Sequence, residues 1–327
     1  MAAHIVYLTA SQNALKAITR LYDFVWPTAA ALWNLRWQVA GYNAVRGSAS
    51  VEELEARFVG GSKIHGANLH RACLEQTWEE QQDRLGEMVL VNLFAIYESW
   101  LSAALDELGF PAKVRKAAEK NLQFPTPVLP GKYPGITAAL KSLTSPESSA
   151  FKSEIYPVAA ASPKVHTASL EAMMVFYRYF KEVRNCLVHG HGVASPAADE
   201  SFKEVDKLLT GYEAAKTVGG SPPPFPIPRI APLTIGTPVK VDLHAVVGFG
   251  ELIRRIVFAL ETEFLQSAHA ESLIVRRWKA QFGRVMLKAD SKKRHGKIQV
   301  MLRKLRLPVP KTTQELECML KRHSLIL

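Results

Sequence analysis

Two stretches of this chain cannot be regular helix or central strand, and they fix where everything else must go. Seven prolines fall between Leu122 and Pro163 (positions 125, 127, 130, 134, 146, 157 and 163), and seven more between Val218 and Lys240 (222, 223, 224, 226, 228, 232 and 238). Together they hold fourteen of the chain's 19 prolines. Proline has no amide hydrogen to donate and clashes with the preceding helical turn, so ordered structure must lie mainly before, between and after these stretches.

The segments they leave read as helices. Residues 11–46 mix Ala, Leu, Trp and Arg without strand alternation, and Pro27 predicts a break or a first-turn position. Ser50 followed by Glu53 fits a capping box that opens a helix at Val51, and Gly60-Gly61 closes it. Residues 69–108 predict one long helix or two in line, apolar on almost every face from Met88 to Leu105 and therefore central. Within the first proline-rich stretch, read as an extended insertion, short helices are expected at Ile136–Leu143 and Ala150–Tyr156. Helix resumes from about Thr167 to Val188, at residues 198–216, at His244–Ala268 and at Ile298–Leu307, where Pro308 ends it. Leu233–Leu243, with β-branched runs around Gly236-Thr237-Pro238, predicts a short β-hairpin. The expected class is mainly α, divided into an N-terminal helical segment (1–68), a central helical domain (69–268, with insertion 122–163 and loop 218–240) and a basic C-terminal extension (269–327).

Charge is placed unevenly. The net charge is +11, yet residues 276–311 hold 13 Lys/Arg against one acid, Asp290, a local +12 that leaves the rest close to neutral. Such a run is either a solvated face or an electrostatic footprint for phosphate backbones. On the second reading Arg276, Arg277, Lys279, Lys292, Lys293, Arg294, Lys297, Arg303 and Lys304 are the candidate nucleic-acid contacts. Residues 297–323, with Pro308 and Pro310 in the turn, could also form a helix-turn-helix-like DNA element. The three cysteines, Cys73, Cys186 and Cys318, are far apart and define no disulfide framework or paired zinc motif. No signal-peptide pattern opens the chain, and the apolar run from Met88 to Tyr97 is interrupted by Asn92, so a cytoplasmic protein without a membrane span is expected.

The chemistry concentrates at VRNCLVHGHG, residues 183–192, which closes the helix from Thr167. The apolar stripe of that helix runs Leu170, Met173, Tyr177, Phe180, and the next step of four lands on Arg184. A guanidinium there is costly unless paired. His189 follows about 140° further round, at the helix end that Gly190 predicts. On the central helix the stripe Val91, Phe94, Glu98, Leu101, Leu105 admits a carboxylate at the corresponding depth. Two intruders of opposite sign predict that Glu98 and Arg184 lie together, either as a structural ion pair or as part of a site.

Arg184-Asn185, three residues, then His189 at the end of a long amphipathic helix resembles the signature of the HEPN superfamily, and the YESWL segment around Glu98 is similar to the earlier helix of that fold. The resemblance covers roughly residues 75–265. It implies a HEPN-like helical bundle that forms a homodimer, bringing two Arg/His motifs together across a two-fold axis. It further implies a metal-independent endoribonuclease, with no cofactor, acting on RNA and serving as a toxin or antiviral effector. In that reading His189 moves the proton of the ribose 2′-hydroxyl, Arg184 stabilises charge on the phosphorane, Asn185 positions the phosphate and Glu98 orients Arg184. An antitoxin or regulatory partner would accompany a toxin. His191 stands where related toxins carry a modifiable tyrosine, which argues against control by that route. Two other readings compete. Cys186, His189 and His191 could form a zinc site, though with at most three ligands in tight sequence. Alternatively, the fold is a non-catalytic RNA-binding or dimer-forming scaffold.

Overall fold

The computed structural model describes residues 6–123, 135–217, 223, 225–287 and 290–327. These residues form a mainly helical structure without a sheet. The chain opens with α1 (Thr9–Arg46), which stays unbroken through Pro27. The expected break is absent because Pro27 sits on the solvent side, where a carbonyl that loses its amide partner is hydrated, and the Thr28 hydroxyl bonds Phe24 O at 2.8 Å. The capping box at Ser50 opens α2 (Val51–Phe58) as predicted. A single π-turn, Arg71–Glu75, and a second capping box, Thr77 with Glu80, then separate α2 from α3 (Trp78–Glu107).

Around α3 the bundle closes. It packs on α1, on α7 (Leu170–His189) and on α9 (Leu243–Phe264), with α4 (Ala112–Gln123), α5 (Gly135–Thr144), α6 (Tyr156–Ala160) and α8 (Pro196–Thr217) filling in around them. Phe180 stacks on Phe249 with ring centroids 4.4 Å apart, and Tyr97 tilts against Tyr177 at 4.8 Å, so α3, α7 and α9 share one aromatic centre. By length and composition alone α3 could cross a membrane, since its most apolar window exceeds the Met88–Tyr97 run; half of that window is buried in the bundle. Met88 and Val91 lie on its outer side, so the all-round burial expected for Met88–Leu105 holds for only part of the helix.

Three expectations are corrected. The first proline-rich stretch is not simply an extended insertion: Ile136, Leu143, Phe151 and Ile155 are core residues, while 124–134 lie outside the described residues. No hairpin forms at 233–243. Gly236 N and Thr237 O instead bond Ala194, and Val239 N bonds Gly192 O at 2.8 Å, so this segment is tied to the loop after α7. The basic C-terminal extension is helical, and it is not set apart from the bundle. Its helices α10 (Ala268–Phe282), α11 (Ser291–Lys304) and α12 (Gln314–Arg322) place Trp278, Ile298 and Leu316 in the same apolar core as α3 and α9. The first half of α1 joins this core too, whereas its second half, α2 and the π-turn share a separate small cluster around Val39, Leu54 and Cys73. Hydrophobic packing therefore crosses the expected boundaries at residues 68 and 268.

Candidate functional site at the end of α7

Helix α7 buries charge along its length before it reaches the motif. Arg178, Lys181 and Glu182 are all nearly inaccessible, and the Arg178 guanidinium pairs with the Glu182 carboxylate at 2.6 Å, one turn on. The sequence stripe did not single these three out, although the i,i+4 spacing of Arg178 and Glu182 was legible. From Glu182 polar contacts run toward the helix end. Asn185 Nδ2 reaches Glu182 Oε2 at 3.5 Å, and Arg184 Nη1 donates to Asn185 Oδ1 at 3.3 Å. Both bonds are long. Arg184 is half-buried, and its Nε is enclosed without a hydrogen-bond partner among the described residues. His189 is the last residue of α7 and is exposed.

The expected Glu98–Arg184 ion pair does not form among the described residues; Lys181 feels both charges instead. Burial pushes its ammonium down to about 8, with Glu98 drawing it back up and Arg178 and Arg184 opposing. Tyr177, fully buried beside them, has its hydroxyl pushed well above the usual tyrosine range by burial, then by Tyr97 and Glu98. One step of four along the stripe brings Arg184 to the rim of this centre rather than into it. A half-buried guanidinium can reach solvent, so it needs no buried carboxylate.

Gly190 follows α7 with φ −105°, and the left-handed residues are His191 (φ +52°) and Gly192 (φ +74°). The predicted left-handed glycine is thus displaced by one and two positions. A side chain at Gly190 is disfavoured for a different reason: a Cβ there would lie 3.0 Å from Cys186 O and 3.1 Å from Cys186 Cα. Both Gly190 N and Gly192 N bond Cys186 O, at 2.9 and 3.0 Å, which folds the exit loop back over the last turn. Cys186 itself is buried, with Sγ 3.8 Å from Ser195 Oγ, while His189 faces solvent, so the imagined zinc ligands do not converge. Among the described residues no cluster of three or more His, Cys, Asp or Glu side chains is placed to hold a metal.

His191 turns to a different neighbourhood. It lines a cleft of about 450 Å³ whose walls carry Glu80, Asp83, Arg84, Glu87 and Lys240. A second cleft of about 550 Å³ shares Asp83 and Lys240 with it and adds Tyr179 and Arg229. Burial raises the Asp83 carboxyl, with Lys240 opposing. Neither cleft is lined by Arg184, Asn185, His189 or Glu98. Sequence reasoning missed this acidic first half of α3, whose one visible signal was the Thr77–Glu80 spacing.

The basic set divides. Arg276, Lys279, Lys292, Lys293, Lys297, Arg303 and Lys304 are exposed. Two members are half-buried and paired within the fold: Arg277 pairs with Glu107 and donates to Tyr7 O, and Arg294 pairs with Glu317 at 2.9 Å. Arg276 also donates to Glu107 O, at 3.3 Å. Compared with protein-family models, curated proteins and solved structures, the chain matches none.

Proposed function

We propose that the protein is a metal-independent endoribonuclease of HEPN type, with its site at the end of α7. The observation that carries this reading is the last turn itself. A half-buried Arg184 with an unengaged Nε, Asn185 bonded to it and an exposed His189 stand together where the chain leaves the helix. In this mechanism His189 accepts the proton of the ribose 2′-hydroxyl as the O2′–P bond forms. Arg184 holds the charge gathered on the phosphorane oxygens, and Asn185 aligns the phosphate. The P–O5′ bond breaks, O5′ takes up a proton, and the products are a 2′,3′-cyclic phosphate and a 5′-hydroxyl. Attack by an internal hydroxyl draws its advantage from positioning. Glu98 acts through Lys181 rather than by direct contact with Arg184. Exposed cations of α10 and α11, among them Lys279, Lys292, Arg303 and Lys304, supply a face for the RNA backbone.

The reading calls for a homodimer and for a role as a toxin or antiviral effector held in check by a partner or signal. Cleavage of single-stranded and transfer RNA in EDTA tests it. The wild type should leave cyclic phosphate ends, and His189→Ala should lose about 10²- to 10⁴-fold in rate with its thermal transition unchanged. Dependence on Mg²⁺ or Zn²⁺ would sink the mechanism. RNA bound equally by both proteins without cleavage would make the chain a binding scaffold. Expression of the wild type should arrest cells, while His189→Ala should not.

A further inference from the structure

Two clefts meet beside the loop that leaves α7, and the ribonuclease reading uses neither. The smaller, about 450 Å³, and the larger, about 550 Å³, have Asp83 of α3 and Lys240 as common lining. Both volumes suit a small molecule. Their walls are pinned by contacts distant in sequence. Tyr179 Oη donates to Ala231 O at 2.8 Å and accepts from Ala231 N at 3.1 Å, which fixes the segment carrying Arg229. Val239 N bonds Gly192 O at 2.8 Å, tying the segment that carries Lys240 to the loop after α7. Gly86 lets that segment lie close on α3, because a Cβ there would stand 2.7 Å from Val241 O. The mid-helix glycine thus has a packing reason, and the clefts are preformed.

Most of the charges along these walls are already engaged. Arg84 pairs with Glu87 at 3.1 Å, Glu80 accepts from Thr77 N at 2.8 Å, and Asp242 accepts from Ala245 N at 2.6 Å. Asp83, Lys240 and Arg229 are different: among the described residues none of these three side chains forms a hydrogen bond or an ion pair. Lys240 lowers the Asp83 carboxyl that burial raises, yet the two do not close into a pair. A half-buried carboxylate held beside an unpaired ammonium in a preformed cleft is a pattern of groups kept for a ligand.

The signs select that ligand. Each cleft carries acids and bases close to balance, so a polyanion or a polycation would meet like charge in either. A molecule with both charges on neighbouring atoms meets Asp83 with one and Lys240 with the other. Arg229 lines only the larger cleft, where it adds a second cation for the anionic end. Ile230, Ala231, Val241 and Ala245 line the same cleft and offer an aliphatic wall.

We propose that the joined clefts bind a free α-amino acid with an aliphatic side chain. Its ammonium sits on Asp83, its carboxylate on Lys240 and Arg229, and its side chain against Ile230, Val241 and Ala245. Neither Arg184 nor His189 lines the site, so the proposal does not rest on the ribonuclease reading.

Isothermal titration calorimetry of the full chain with L-leucine tests it. Two truncated probes accompany leucine: isoamylamine, which lacks the carboxylate, and isocaproate, which lacks the ammonium. Leucine should bind at millimolar concentration or below, and each truncated probe about tenfold or more weaker. Asp83→Asn should weaken leucine and isoamylamine by about tenfold without weakening isocaproate. Lys240→Met should weaken leucine and isocaproate without weakening isoamylamine. Neither side chain is bonded within the fold, so both variants should keep the wild-type thermal transition. Adenosine monophosphate, added as competitor, should not displace leucine. Failure of leucine to bind, equal binding by a truncated probe, leucine affinity unchanged in either variant, or displacement by the nucleotide would each overturn the proposal.

Discussion

Two helix ends in this molecule gather charge, and they use it differently. At the start of α1 the free backbone amides have no cap from the N-cap side chain. Glu261 accepts from Tyr7 N and Leu8 N, Glu107 accepts from Thr9 N and Ala10 N, each of the last two at 3.0 Å, and Arg277 pairs with Glu107 and bonds Tyr7 O. Side chains from α3, α9 and α10 thus converge on one terminus and are spent on it. At the end of α7, Arg184 holds one long bond to its neighbour and no other among the described residues, and His189 is exposed. Where charges satisfy each other, the chain gains a fastening. Where they are left with capacity, it keeps groups that can act on something else.

The largest expected effect lies at the second end. Arg184→Ala should lower the rate of RNA cleavage by about 10²- to 10³-fold. Arg184→Lys should recover little of it, because an ammonium cannot engage two phosphate oxygens with a planar fork. Thermal melting should move little in either variant. A variant that melts far lower, with turnover per folded molecule intact, would make Arg184 a fastening like Arg277 and erase the contrast.

Glu261 gives the next effect, and its sign is particular. Burial pushes its carboxyl up to about 7, against the lowering by Ser11 and the amides of Leu8 and Tyr7. Below the ordinary carboxylate range both states are protonated and nothing is lost. As pH rises from there toward 7, the unfolded chain releases a proton that the folded chain keeps, so stability falls by up to roughly 3 kcal/mol from this group. Above 7 the loss is constant. Glu261→Gln keeps an acceptor for the amides and removes the titration, so its melting temperature relative to wild type should climb between pH 5 and 7.5. A difference independent of pH would show the carboxylate fully ionised throughout. Arg277→Ala, at a partly exposed pair, should cost about 2 kcal/mol and leave cleavage per folded molecule unchanged. Urea unfolding and a rate assay together check it.

Much of the frame was legible because it is periodic. The stripe of α7 and the cap at Ser50 follow from spacing alone, and so does the presence of Arg184 and His189 at one helix end, whereas the helix expected at Ile298–Leu307 starts at Ser291 and stops at Lys304, short of Pro308. What escaped depends on contacts distant in sequence. Nothing near Arg277 or Arg294 reveals that Glu107 and Glu317 are waiting for them, so both read as part of a basic run. The β-branched residues at 234–241 suggested a hairpin, but their partners proved to be Gly192 and Ala194. Glu98 and Arg184 were matched as opposite charges at matching depths; the buried Lys181, one turn earlier on α7, carries the sign that Glu98 meets. Local pattern reports which face a residue takes, and pairing across faces is decided by the packed bundle.

The smallest predicted effect bears on what holds the second end in place. Gly190 has an ordinary φ, so alanine there meets no torsional penalty; it meets Cys186 O at 3.0 Å and Val193 O at 3.3 Å. Those atoms belong to the last turn and to the loop that Val239 and Thr237 pin from the other side, so neither can yield freely. Gly190→Ala should therefore cost about 1 kcal/mol of stability, the low end for overpacking. On the proposed ribonuclease mechanism it should cost more in activity than in stability, because the displaced segment carries His189 and a misplacement of a fraction of an ångström would weaken proton transfer. A stability loss with no change in rate at saturating RNA would mean that the loop can move independently of the turn that carries Arg184 and His189. The end of α7 would then be as tolerant as an ordinary surface terminus, and the difference between the two helix ends would rest on Arg184 alone.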